Sequence, residues 1–301
     1  MITLLGPTAT GKTKLAVLIA DKINGEIISA DSRQVYKHMD IGTGKDLTEY
    51  AINGQEIPYH LINIAEPGSA YNIHEYVNDF EKAYKSIVDK NREVVLCGGS
   101  GMYIEAVLKG YSLINVPFNE TLRLALAQKS DAELTAELTA MKKVHNTTDL
   151  TERERLIRAL EIETYYKENN ITSTTNMAYK SIIFGMNYPR EVIRTRITER
   201  LHQRLNNGMV EEVKVLLDSG VDAEKLKYYG LEYKFITQFL CDELSYDEMV
   251  RLLNTAIHQF AKRQMTWFRR MEKQGFVIHW IDGLWEEEEK VEFVMRTIES
   301  N

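Results

Sequence analysis

The chain opens on four apolar positions, residues 2–5, a run short enough to be a strand buried on both faces. A glycine-rich turn follows, and over residues 12–23 the apolar positions recur at helical spacing. Residues 26–30 (EIISA) read as a second buried strand, so the first 31 residues hold a βαβ unit. Asn72 has the character of an N-cap for a helix running to about residue 90. Residues 94–97 (VVLC) form another apolar run, which ends in Gly98-Gly99. Strands alternating with helices predict an α/β fold built on a doubly wound parallel sheet.

The pattern changes near residue 112. Residues 118–170 are helix-forming and mostly polar, and Thr151 with Glu154 has the spacing of a capping box. Strand character returns at residues 181–186. Residues 113–178 are therefore expected to be a helical insertion, with 1–112 and 179–301 forming the α/β core. Two long helices are predicted over 190–218 and 245–273, the second opened by Ser245 and Glu248 as a capping box. A last strand over 276–281 precedes an acidic stretch, Glu286–Glu289, which reads as a solvated tail.

Composition narrows the possibilities. No run approaches 18 consecutive apolar residues, which argues against a membrane-spanning helix. No basic segment precedes the first apolar run, so a secretory signal is not expected and the cytoplasm is the expected compartment. Cys97 and Cys241 make neither a disulfide framework nor a zinc site, and the seven histidines show no metal-ligand spacing. The net charge of −7 argues weakly against nucleic acid, but the basic residues are clustered. Arg153, Arg155 and Arg158 crowd the insertion, while Lys262, Arg263, Arg269 and Arg270 crowd the last long helix beside Trp267 and Phe268. Phosphate contacts position an RNA and aromatic rings can stack on its bases, although core packing is the plainer reading of Trp267 and Phe268.

Gly6-Pro7-Thr8-Ala9-Thr10-Gly11-Lys12-Thr13 fits G-x-x-x-x-G-K-[ST] in full, and it sits between a predicted strand and a predicted helix. Backbone N–H groups there can face an oxyanion, the helix adds its positive end, Lys12 adds a charge, and the Thr13 hydroxyl can ligate Mg²⁺. The expected core is thus a P-loop NTPase-like parallel sheet flanked by helices. No Asn-Lys-x-Asp guanine-reading motif is present, and VVLC runs into glycines rather than a metal-holding Asp. Asp31 falls at the carboxyl end of the second strand, on the edge where the phosphate loop opens, and can take a proton from an incoming nucleophile. A strand-end carboxylate capping a turn is the competing reading. Arg194, Arg196, Arg200 and Arg204 lie beside the apolar stripe Ile193, Ile197, Leu201, Leu205 and offer a basic ridge.

Several segments together carry a resemblance. These are the phosphate loop, Asp31-Ser32-Arg33-Gln34-Val35-Tyr36, Met39-Asp40-Ile41-Gly42-Thr43-Gly44-Lys45 and Gly98-Gly99-Ser100-Gly101-Met102-Tyr103. Arg155-Leu156-Ile157-Arg158-Ala159-Leu160-Glu161 and Ala261-Lys262-Arg263-Gln264-Met265-Thr266-Trp267-Phe268-Arg269 follow in order. The chain closely resembles bacterial tRNA dimethylallyltransferases over nearly its whole length. The resemblance implies transfer of a dimethylallyl group from dimethylallyl diphosphate to N6 of the adenosine 3′-adjacent to the anticodon. It also implies a Mg²⁺ requirement, residues 6–13 around the diphosphate, and Asp31, Ser100 and Arg196 as catalytic residues. Ser100 stands where the family usually has Thr and keeps the hydroxyl. Contacts to tRNA are implied for Asp31, Ser32, Arg33, Gln34, Ser100, Arg123, Glu154, Arg155, Leu156, Ile157, Arg158, Lys262 and Arg263. A monomer is expected.

One segment departs from the family pattern. Glu232, in the stretch Lys227-Tyr228-Tyr229-Gly230-Leu231-Glu232-Tyr233-Lys234, places a carboxylate where the family lacks one, in a loop expected to approach tRNA. No Cys/His pair of a zinc-finger extension follows residue 241. A P-loop kinase is the competing enzyme class and an RNA-binding module the non-enzymatic one. The arginine-rich insertion argues against the first, and Asp31 beside the phosphate loop against the second.

Overall fold

A computed structural model of the protein describes residues 1–52, 54–111, 116–141, 153–171 and 179–300. The chain divides into two compact units, Met1–Gly110 with Met177–Asn301, and Tyr111–Asn176. The expected insertion edges at 113 and 178 lie outside the described residues, as does Thr151 of the expected capping box.

The first unit begins with β1 (Ile2–Leu5), α1 (Lys12–Lys22), β2 (Gly25–Ala30), β3 (Ala51–Ile52), β4 (Gln55–Glu56), β5 (Tyr59–His60), α2 (Ile73–Val88), β6 (Glu93–Gly98) and α3 (Gly101–Lys109). The second unit holds α4 (Glu120–Ala127), α5 (Asp131–Met141) and α6 (Arg153–Glu168). The first unit then resumes with β7 (Ile182–Asn187), α7 (Arg190–Asn206), α8 (Met209–Asp218), α9 (Ala223–Tyr228), α10 (Leu231–Leu240), α11 (Tyr246–Lys273), β8 (Ile278–Asp282) and α12 (Glu287–Glu299).

A six-stranded sheet runs β5-β2-β6-β1-β7-β8, parallel at every pairing, while β3 and β4 form a separate small hairpin. The register aligns Leu5 with Gly98 and Ala30 with Gly98. Three strands thus finish side by side, and the segments that leave them emerge at one edge. Gly98 is needed for this closeness, because a Cβ there would lie 2.2 Å from the Ala30 carbonyl oxygen. The strands are apolar on both faces because both are covered. Leu4, Ile19, Ile27, Val95, Phe184 and Val294 pack on the α1/α12 side, and Leu5, Ile28, Phe80, Leu96, Ile104 and Phe268 on the other. A third cluster, including Val35, Met39, Ile197, Leu201, Val213, Ile236 and Leu253, binds the helices after β7 to the segment after β2.

Two expectations are corrected. The helix expected over 190–218 is two helices, α7 and α8, broken at Gly208 with φ +93°. A left-handed residue ends the first helix, while the apolar spacing runs on through the break and hides it. The acidic stretch is solvated, its four glutamates being exposed, but it is the start of a helix and not a tail. Glu286 and Glu289 form a capping box on α12, whose Val291 and Val294 are buried, and the carboxylates complement the positive end of the helix.

In the second unit, Leu126, Leu134, Leu138, Leu156 and Leu160 form a small core. The side chain of Glu161 is 1% exposed and accepts from Arg123 Nε and Nη2 at 3.1 and 2.9 Å, from the Asn119 amide at 2.6 Å, and from Arg158. Burial disfavours its charge, but the bonds from Arg123, Asn119 and Arg158 outweigh it and pull its pKa down to about 2. Its charged form therefore stabilises the fold fully above the unfolded glutamate range, and that contribution fades as pH falls toward 2. Glu161→Ala strands two arginines against the core, and a loss of about 3 kcal/mol is expected for this unit. Urea unfolding followed by hydrogen exchange within residues 120–168 measures it, and a loss under 1 kcal/mol would contradict the assignment.

Candidate functional site

The turn from β1 to α1 is the phosphate loop. Ala9 and Gly11 are both left-handed, with φ 62° and 71°, and Thr10 Oγ1 and Lys12 Nζ each donate to the Pro7 carbonyl at 2.8 Å. α1 starts at Gly11 with no side-chain cap, so its first-turn amides remain available to an anion. Desolvation lowers the pKa of the Lys12 ammonium, and the charge of Arg200 acts in the same direction.

Three side chains from distant sequence brace this loop. Arg196 donates from Nε to the Ala9 carbonyl at 3.0 Å, with its guanidinium 5.0 Å from the Tyr188 ring centre. The Tyr188 hydroxyl reaches the Thr10 carbonyl at 3.4 Å. Gln264, 8% exposed, accepts from the Thr8 amide and donates to the Gly99 carbonyl, both at 2.9 Å. It thereby ties the phosphate loop to the turn that carries Ser100. With both bonds lost in Gln264→Leu, the two loops shift relative to one another, and a turnover loss of about tenfold is expected with the fold intact. Steady-state kinetics with circular dichroism measured in parallel test this; unchanged turnover would be the wrong outcome.

Asp31 and Ser100 meet at the same sheet edge. Asp31 Oδ1 accepts from the Arg33 amide at 2.9 Å, which fixes the carboxylate in a tight turn. Ser100 Oγ accepts from the Ser32 amide at 3.0 Å and donates to Ser32 Oγ at 3.3 Å, and the Ser100 amide donates to Ala30 O at 3.1 Å. Gln34 is structural in its contacts, accepting from Ser29 Oγ and donating to Gly44 O, both at 3.2 Å. The next segment, residues 36–45, is held by two charged side chains, the buried Lys45 and the half-buried Glu212. Lys45 donates to Tyr36 O, to Asp40 Oδ1 at 2.9 Å and to Asn63 Oδ1 at 2.6 Å. Glu212 of α8 accepts from the amides of Asp40, Ile41 and Gly42 at 2.7, 2.7 and 2.9 Å, and from Tyr233 Oη at 2.6 Å.

The stretch 227–234 is not a loop. It is the end of α9 and the start of α10, joined at Gly230 with φ +137°, and Glu232 lies in the first turn of α10. Glu232 lines a small pocket together with Thr8, Ala9, Arg200, Arg204 and the apolar side chains of Ile197, Leu201, Met209 and Ile257. Like charge from Arg204 and above all desolvation lower the pKa of Arg200 to about 10, and burial raises that of Glu232.

The residues assigned to tRNA contacts fall into two groups. Asp31, Ser32, Arg33, Gln34, Ser100, Lys262 and Arg263 belong to the first unit, with Lys262 and Arg263 exposed on α11. Arg123 and residues 154–158 belong to the second. There Glu154 and Arg155 are exposed, Arg123 and Arg158 are engaged by Glu161, and Ile157 is partly buried. Leu156 is fully buried in the small core, so its side chain meets leucines and not RNA. Phe268 is likewise core, and Trp267 packs against Gly101 with the Arg270 guanidinium 3.9 Å from its ring centre. Gln264, Glu212 and Tyr188 went unassigned by sequence reasoning. Their functions are set by partners about 170 or more residues away, and for Gln264 the one signal was its place inside a matched motif.

Among the described residues no three His, Cys, Asp or Glu side chains gather as a metal site. The Thr13 hydroxyl would suit Mg²⁺, an ion that keeps much of its water and binds substrate phosphates rather than an all-protein cage. Among the described residues no helix is long and apolar enough to cross a membrane.

Residues 34–271 match the family model described as IPP transferase. The chain is 54% identical over 298 residues to tRNA dimethylallyltransferase 2 of Bacteroides fragilis, covering 99% of this chain and 97% of that protein. It is 55% identical over 301 residues to tRNA dimethylallyltransferase 2 of Porphyromonas gingivalis, covering the whole of both. Among solved structures, the tRNA isopentenylpyrophosphate transferase of Bacillus halodurans superposes with a TM-score of 0.72 at 28% identity, covering 99% of this chain and 95% of that one. The phosphate loop, the Asp31–Ser100 edge and these similarities agree, and the chain belongs to the IPP transferase family.

Proposed function

We infer that this chain transfers the dimethylallyl group of dimethylallyl diphosphate to N6 of the adenosine 3′-adjacent to the anticodon of tRNA. The observation that carries this reading is the edge where Leu5, Ala30 and Gly98 end in register, which brings the phosphate loop, Asp31 and Ser100 together. An anion-binding loop and a fixed carboxylate beside it suit the separation of a diphosphate leaving group from a nucleophile that must lose a proton.

The allylic C–O bond breaks with its electron pair leaving on the diphosphate. The loop amides and Lys12 take up that growing negative charge, and they are already in place before the reaction. Positive charge develops on the allyl carbons as the N6 lone pair forms the new C–N bond. The surplus N6 proton passes to Asp31, giving N6-dimethylallyladenosine and diphosphate. Because an exocyclic amine is a poor nucleophile, orientation by Asp31 and Ser100 matters as much as basicity. The Thr13 hydroxyl would hold Mg²⁺, which would supply further neutralisation of the leaving group's charge. Arg155, Lys262 and Arg263, all exposed cations, are the proposed phosphate contacts for the tRNA, and the cytoplasm is the proposed site of action.

The test is incubation with Mg²⁺ and either labelled dimethylallyl diphosphate or labelled ATP, with and without unmodified tRNA. Label entering tRNA from the prenyl donor supports the assignment. Phosphoryl transfer from ATP overturns it in favour of a kinase.

A further inference from the structure

The pocket beside Thr8 and Ala9 contains charges that the reaction above does not use. Arg200 and Arg204 lie one helical turn apart on α7, and both guanidiniums cover the backbone of Gly44. A Cβ at Gly44 would stand 1.7 Å from Arg204 Nη2 and 2.3 Å from Arg200 Nη2, so any side chain there would displace them. Arg204 Nη2 is buried and has no hydrogen-bond partner among the described residues. Arg200 has a distant carboxylate, Asp46, at 3.8 Å. Glu232 faces both arginines from α10 across the pocket, and its field and theirs are felt mutually, but neither forms a close ion pair with it among the described residues. Lys12 lies within the field of Arg200. Arg200 and Arg204 thus add to the charge of Lys12 and Arg196 around the phosphate loop, with Asp46 beside Arg200 and Glu232 on the opposite wall of the pocket.

A buried guanidinium nitrogen without a partner costs stability, which is tolerable at a place where an anion completes it. A carboxylate kept in view of two arginines, yet out of contact, lowers the cost of gathering those charges without occupying their donors. We propose that Arg204 is a further donor-binding residue, completing the diphosphate site on the Thr8–Ala9 side of the loop, and that Glu232 is a positioning residue, a resident counter-ion on the same pocket wall that sets how tightly the diphosphate is held. This rests on the reading of residues 6–13 as the diphosphate loop. Arg204 adds charge-assisted N–H donors to the diphosphate. Glu232 repels the same anion, which weakens its binding and speeds the departure of the product.

The two residues therefore have opposite signs, which a purely structural role would not produce. Inorganic pyrophosphate is the probe, titrated calorimetrically with Mg²⁺ into the wild type and the variants Arg204→Met, Glu232→Gln, the double variant and Lys12→Ala. Arg204→Met is expected to weaken pyrophosphate about tenfold and to raise KM for dimethylallyl diphosphate similarly, leaving KM for tRNA unchanged. Glu232→Gln is expected to tighten pyrophosphate several-fold and to strengthen product inhibition, and the double variant to fall between. If Arg204→Met does not fold, Arg204→Lys and Glu232→Gln still decide the sign. Loss of affinity in Lys12→Ala with no change in Arg204→Met, or weaker binding in Glu232→Gln, overturns the proposal alone. Unchanged binding in Lys12→Ala overturns the diphosphate-loop reading beneath it.

Discussion

Turnover of the Asp31→Asn protein is expected to fall by about 10²–10⁴-fold, the usual loss for a general base. The substitution keeps the shape and an acceptor oxygen for the Arg33 amide, so the turn that follows β2 is preserved. It removes charge and basicity, the two properties needed to take the N6 proton. Donor and tRNA affinities should change far less, which separates this effect from misfolding. An adenosine stacked in an anticodon loop cannot present N6 to a donor at the end of a buried sheet, so the base must swing out first. A fluorescent adenine analogue at the target position should therefore still brighten on binding to Asp31→Asn, because unstacking precedes proton transfer. Near wild-type turnover would reduce Asp31 to a strand-end turn former.

Lys12→Ala gives the second large effect. The ammonium is the loop's own full charge, and its lowered pKa reflects desolvation, the condition in which a charge acts most strongly on a neighbouring anion. Removing it should raise the donor dissociation constant and slow bond cleavage together, lowering kcat/KM for the donor by about 10²–10³-fold. tRNA affinity measured by filter binding should stay within about twofold, since the phosphate contacts proposed for the tRNA are Arg155, Lys262 and Arg263. An unchanged donor affinity would remove the loop from the mechanism.

The core strands were legible because strands covered on both faces must be continuously apolar, as residues 2–5 and 94–97 are. The phosphate loop and the helix caps at Asn72 and Ser245 were legible because each is a local pattern with a local cause. The break at Gly208 was missed because apolar spacing survived it, although Asn206-Asn207-Gly208 is a stop signal. The α12 helix was missed because four exposed glutamates hid the amphipathic element that they open. Asp31 could be placed from the strand it follows, but Gln264 and Glu212 could not. Their side chains satisfy backbone groups in loops folded from the opposite end of the chain, and no window of sequence contains both partners. The acidic residue at 232 stood out against the family pattern, whereas the pocket it shares with Arg204 emerged only in three dimensions.

The bonds from Glu212 to the amides of residues 40–42, and from Gln264 to Thr8 and Gly99, also set an order in time. During synthesis the phosphate loop and Asp31 leave the ribosome first, yet β1 has no second neighbour until β7 has been made. The 40–42 turn lacks its carboxylate until residue 212 emerges, and the bridge between the two reactive loops waits for residue 264. Such sequence-distant contacts make folding slow. They also mean that a nascent chain, although it already carries every residue of the phosphate loop, lacks the contacts that hold that loop against the Ser100 turn. Full turnover is therefore expected only after residue 264 has left the exit tunnel and reached Thr8 and Gly99.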